Sequence, residues 1–141
     1  MSVLPDSDFG SRVRSRLENE TVVWFTTVAD NGTPQPNPVW FLWEPDSDSV
    51  LIYNATNAKR IEHVAVRPRV SLNFHADAHG GDVVVLTGVA EQALDAPPVT
   101  DHAAYLTKYA AGIEAIGSDR EKFARDYSVA LRVRISKVRG F

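Results

Sequence analysis

Residues 52–74 read IYNATNAKRIEHVAVRPRVSLNF, a passage from strand to helix and back to strand. The strand is Val50–Ala55 (VLIYNA), rich in the β-branched and aromatic residues that suit a pleated surface. Thr56 and Asn57 then interrupt the apolar run. From Asn57 to Arg67 the spacing becomes helical, with Ile61, Val64 and Ala65 on one face. Pro68 ends the helix, because the residue before a proline is driven out of the helical region. Val70–His75 (VSLNFH) returns to strand alternation. Lys59 and Arg60 therefore stand side by side in a helix first turn. Two cations, free backbone N–H groups and the positive end of the helix dipole together favour a phosphate there. The bland alternative for a Lys-Arg pair is a solvated helix surface.

Upstream, residues 6–20 predict an amphipathic helix with Phe9, Val13 and Leu17 on one face and Ser7 or Asp8 as its cap. Val22–Val28 (VVWFTTV) reads as a strand closed by the turn residues Asp30-Asn31-Gly32. Val39–Trp43 (VWFLW) reads as a second strand closed by Glu44-Pro45-Asp46, so that the first three strands are spaced as a meander. Downstream, a loop with Gly80-Gly81 leads to Val83–Val89 (VVVLTGV). Residues 100–117 carry a helical stripe of Ala103, Leu106, Tyr109, Ala110 and Ile113, stopped by Gly117. Ser118-Asp119-Arg120-Glu121 has the form of a capping box and starts a short helix bearing Phe123 and Tyr127. Ala130–Val138 (ALRVRISKV) alternates apolar and basic residues, the mark of a half-exposed strand. Six strands with short turns and inserted helices predict a mainly β, antiparallel barrel with peripheral helices, in one domain over residues 1–141.

Composition removes several classes of function. The net charge of −3 argues against a dedicated nucleic-acid binder. With no cysteine there is no disulfide, thiolate metal site or cysteine nucleophile. His63, His75, His79 and His102 lack metal-ligand spacing, so no metal is expected. His63 reads as a surface or packing residue, whereas His75 stands at a strand end where it could face a haem or substrate. Asp77 and Asp82 bracket a loop without pairing as acid and base. No nucleophile elbow, phosphate-binding P-loop or dinucleotide fingerprint is present. Trp24, Trp40 and Trp43 lie in strands and read first as packing, with Trp40 or Trp43 able to line a ring pocket. No apolar run approaches the roughly 20 residues of a membrane span. The N-terminal MSVLPDSDFGSRVRSR lacks the apolar stretch of a secretory signal, so the expected location is the cytoplasm.

The central segment resembles the flavin-phosphate segment of the pyridoxamine 5′-phosphate oxidase-like superfamily of split-barrel flavin and deazaflavin reductases. The resemblance rests on Tyr53-Asn54 at a strand end, the Lys59-Arg60 pair, and Pro68-Arg69-Val70-Ser71-Leu72 on the next strand. TTVADNGTPQPNPVWFLWE resembles the family's first hairpin, with Asn31-Gly32 at its turn. Within that superfamily the chain resembles the actinobacterial branch of probable coenzyme F-420-dependent enzymes, and the resemblance extends over about residues 8–141. It implies a six-stranded antiparallel split β-barrel paired as a homodimer, with the cofactor in a groove between subunits. Lys59 and Arg60 would hold the cofactor phosphate, with hydrogen bonds from Thr56 and Asn57. Tyr53 and Asn54 would flank the ribityl chain or ring, and Pro38, Val39 and Trp40 would present backbone to the tricycle. Pyridoxamine phosphate oxidases carry an Arg-x-His near the C-terminus. This chain ends Lys137-Val138-Arg139-Gly140-Phe141, which speaks against pyridoxamine phosphate as substrate.

The function this implies is a reductase that moves a hydride from reduced F-420 to a conjugated small-molecule acceptor. The chemistry resides in the cofactor, so no catalytic side chain is expected. Arg67, Arg69 and Lys108 are the candidate cations for the acidic tail of F-420. The alternatives are an FMN oxidoreductase of the same fold, or a non-catalytic binder of flavin, deazaflavin or haem.

Overall fold

The computed structural model describes residues 2–141. The first helix, α1 (Asp8–Asn19), starts where the Ser7 hydroxyl accepts from the Gly10 amide at 3.1 Å, and it buries Val13 and Leu17. Seven strands follow rather than the expected six: β1 (Val23–Val28), β2 (Pro34–Val39), β3 (Leu42–Glu44), β4 (Ser49–Asn54), β5 (Arg69–Asn73), β6 (Val84–Gln92) and β7 (Val129–Gly140). Three further helices are α2 (Lys59–Val66), α3 (Ala103–Ala115) and α4 (Arg120–Asp126). The cap of α4 is Asp119, one residue past the expected serine, and its carboxylate accepts from the Lys122 amide at 2.8 Å.

The additional strand lies where prolines mask it. Pro34, Pro36 and Pro38 alternate along β2 and make the stretch read as a loop. A bond from the Ala29 amide to the Thr33 carbonyl (3.0 Å) sets the phase of the hairpin. Residues 33, 35, 37 and 39 thus turn their backbone groups toward β1, paired as Thr27↔Gln35 and Phe25↔Asn37. The three prolines turn theirs outward. β2 is a terminal strand of the sheet, so the missing N–H groups fall where no neighbour needs them. The predicted strand Val39–Trp43 is therefore broken at Trp40-Phe41, its halves shared between β2 and β3.

All pairings in the sheet are antiparallel, in the order β2-β1-β5-β6-β7-β4-β3. The meander expected of the first three strands does not form: β2 and β3 lie at opposite ends of the sheet. The long β7 pairs with β6 on one side and β4 on the other, which curls the sheet around a core. A register shift at Thr87/Gly88 admits this curl. A Cβ on Gly88 would stand 2.1 Å from the Arg134 carbonyl oxygen, so only glycine permits the approach.

Every residue of β4 is buried. Val50 and Ile52 face the main core with Phe25, Phe41 and Leu86, while Leu51 and Tyr53 face a second core under α3 and α4 with Tyr105, Tyr109 and Phe123. The β2–β3 link is tied to α3 at Phe41. The Phe41 amide donates to the Tyr109 hydroxyl at 2.8 Å, and that hydroxyl donates to the Thr21 carbonyl at 2.7 Å. Lys108 donates to the Phe41 carbonyl at 2.9 Å, its ammonium 3.7 Å from the Phe41 ring centroid.

Two predictions follow from this clasp. Tyr109→Phe removes the acceptor of a buried N–H and should lower stability by about 1–3 kcal/mol, measured by urea denaturation. Burial pulls the Lys108 pKa down to about 8, opposed by Glu20. A lysine depressed on folding opposes the folded state while it is charged, and this penalty fades as pH rises from about 8 toward its unfolded value near 10.4. Wild-type stability measured against Lys108→Met should therefore rise across that window; a flat difference would place the ammonium in water.

Candidate functional site

The start of α2 is built without a cap. Its N-cap position is Ala58, which has no side-chain acceptor, and neither Thr56 nor Asn57 substitutes for it. Beside it lies a polar cleft of about 460 Å³, lined by Ala29, Gln35, Asn37, Lys59, Arg60 and His63. A second cleft of about 360 Å³ is largely aromatic. Pro38, Val39 and Trp40 form one wall; Tyr53 and Tyr105 lie with it, and Ile116, Phe123 and Tyr127 come from α3 and α4 or their flanks. Arg60 lines both clefts.

Arg60 is half-buried and its Nε donates to the Asn54 side-chain oxygen. Burial draws its pKa below the ordinary guanidinium value, partly offset by Tyr127. Its hydrogen-bonding neighbour is thus a neutral amide. Glu62, the carboxylate in the same helical turn, lies 3.8 Å from Lys59. A desolvated guanidinium held by a neutral partner keeps a full positive charge, and the uncapped amides of α2 add partial charge of the same sign. A phosphate fits these residues. The aromatic cleft fits a planar ring system: Trp40 stacks on Tyr109 (centroids 4.7 Å, 5°) and on Phe123 (5.5 Å, 15°), which holds its wall rigid.

The nine residues expected to bind cofactor fall into three groups. Pro38, Val39, Trp40 and Tyr53 line the aromatic cleft, while Lys59 lines the polar one and Arg60 joins the two. Asn54 is fully buried and lines neither. Thr56 and Asn57 lie exposed in the turn before α2 and line neither. The Tyr53 hydroxyl donates to the Pro97 carbonyl at 2.6 Å, and burial with the nearby Glu44 pushes its pKa up to about 12, so its ring faces the cleft while its polar end points into the fold.

Gln35 and Asn37 were hidden in the proline-rich stretch, and only the hairpin register shows that they share a face. His63 also lines the polar cleft, its Nδ1 2.8 Å from the Thr27 hydroxyl. Phe123 and Tyr127 were expected on a short helix, which located a buried face without locating a cleft, and Tyr105, which lies outside the stripe of Ala103, Leu106, Tyr109, Ala110 and Ile113, was missed. The candidate tail cations are elsewhere: Arg67 binds the Val28 carbonyl at 3.0 Å and Asp30, and Lys108 is clasped to Phe41. Arg69 is exposed on β5 and lines neither cleft. His75 accepts from the Trp24 indole at 3.3 Å in a third hollow, away from both clefts. Among the described residues no group of three His, Asp or Glu side chains could hold a metal, and no helix is long and apolar enough to cross a membrane.

Solved structures share this architecture. An F420 reductase superposes with a TM-score of 0.65 at 21% identity, covering 89% of this chain and 94% of that one. An FAD-binding protein from Mesorhizobium loti gives 0.64 at 20%, covering 89% and 88%. HutZ, the haem storage protein of Vibrio cholerae, gives 0.62 at 14%, covering 92% of each chain. At these identities the likeness is one of fold. No curated protein matches the chain significantly in sequence. The profile of the pyridoxamine 5′-phosphate oxidase family does match, over residues 9–141, and by that match the chain belongs to this family.

Proposed function

We propose that the chain is a coenzyme F-420-dependent reductase that delivers a hydride to a conjugated small-molecule acceptor. The observation that carries this reading is Arg60, a half-buried cation without a carboxylate partner, standing where a polar cleft meets an aromatic one. A ligand with a phosphate on a flexible chain and a tricyclic ring at its end has this division of chemistry. Reduced deazaflavin supplies the hydride when bound. The chain's own residues bind and orient. Lys59, Arg60 and the free amides of α2 hold the phosphate. The backbone of Pro38, Val39 and Trp40 runs along the ring. Tyr105, Phe123 and Tyr127 keep water from its face.

A second copy of the chain would complete the groove, in a cytoplasmic homodimer acting through this one domain. The second reading is FMN, and a specific observation favours it: with Arg67 and Lys108 engaged elsewhere, the polar cleft offers the cations for one phosphate and not a lane for an acidic tail.

Titration of the purified protein with F-420 and with FMN, followed by fluorescence, separates the two. Lys59→Ala and Arg60→Ala should each raise the Kd of the preferred cofactor about ten- to hundredfold, since a hydrogen bond to a charged group contributes about 1.5–3 kcal/mol. Unchanged affinity in the double variant removes the pair from the site.

A further inference from the structure

We infer that Asn54 is a positioning residue, a neutral clamp that fixes the Arg60 guanidinium between the two clefts while leaving its charge for the ligand's anion. The inference rests on the proposal that a phosphate binds at Arg60 and adds how that cation is held. Asn54 ends β4 and is 0% exposed. Its Nδ2 donates to the Ile52 carbonyl at 2.9 Å and to the Val129 carbonyl at 3.0 Å. Both amide hydrogens are therefore used, and the flipped amide would set oxygen against two carbonyl oxygens. The Oδ1 is thereby turned to accept, and Arg60 Nε donates to it.

The consequence for Arg60 is geometric and electrostatic. With Nε engaged, its two terminal NH2 groups remain for an anion, and a guanidinium is built to bind phosphate through two parallel donors. A carboxylate in place of the amide would hold Arg60 as firmly but neutralise it. The two carbonyl oxygens that fix Asn54 would oppose such a carboxylate, so the same pocket that orients the amide disfavours its acidic isostere. Asn54 thus acts through Arg60 and needs no contact with the ligand.

The test compares ligand pairs that differ in the phosphate: FMN against riboflavin, and F-420 against the same deazaflavin cut back to its ribityl chain. Kd values are measured by fluorescence for wild type, Asn54→Asp, Asn54→Ala, Arg60→Gln and the Asn54→Asp/Arg60→Gln double variant, with folding checked by circular dichroism and thermal melting. Asn54→Asp should cut the preference for the phosphorylated ligand ten- to hundredfold, about as much as Arg60→Gln. The double variant should lose no more, and Asn54→Asp should weaken the phosphate-free ligand no more than Arg60→Gln does, well short of its effect on the phosphorylated one. Should Asn54→Asp not fold, Asn54→Ala carries the test, with a preference at least threefold below wild type. A wild type that prefers phosphate alongside folded Asn54 variants that keep the preference overturns the inference alone. Equal loss of both ligands assigns Asn54 a purely structural role and also overturns it. A wild type without phosphate preference removes the phosphate reading itself, and the clamp with it.

Discussion

The architecture depends on β4 being buried on both faces. A strand of an antiparallel sheet usually shows one face to water, yet here alternate residues feed different cores. Val50 and Ile52 belong to the interior of the curled sheet; Leu51 and Tyr53 belong to the layer under α3 and α4. The strand cannot slip by one residue without exchanging the two sets, so its register is over-determined. Its end is correspondingly fixed, and that end delivers Tyr53 and Asn54 and then the first turn of α2. The site inherits its rigidity from this double burial.

The segments whose local pattern agrees with their environment were legible in the chain itself. The strand-helix-strand passage through residues 52–74 follows periodicity, the N-terminal helix and the helices after residue 100 follow periodicity and caps, and all lie close to where those signals put them. β2 was not legible, because prolines at alternate positions are compatible with a strand only at a sheet end, and nothing local announces which strand is terminal. Strand order was equally hidden. That β7 closes against β4 depends on contacts between residues 75 to 85 positions apart, from Asn54↔Val129 to Ser49↔Arg134, which no window of sequence contains.

The site was legible in its cations and in the wall from Pro38 to Trp40. It was not legible in the helical aromatics, where Phe123 and Tyr127 sit one turn apart and signal burial alike for a core and for a cleft. Charge was the least transferable feature. Arg60, Arg67 and Lys108 are indistinguishable as letters, yet one faces a cleft, one is tied to Val28 and Asp30, and one lies over an aromatic ring. Only the third dimension distinguishes a cation available to a ligand from one already engaged.

The outward edge of β2 carries a further consequence. With prolines at 34, 36 and 38 it presents carbonyl oxygens and no N–H groups, so another chain cannot add a ladder there. The opposite edge, β3, is only three residues long. A curled sheet that is open at both ends is thereby protected from edge-to-edge polymerisation, one end by chemistry and the other by brevity, without a closing strand.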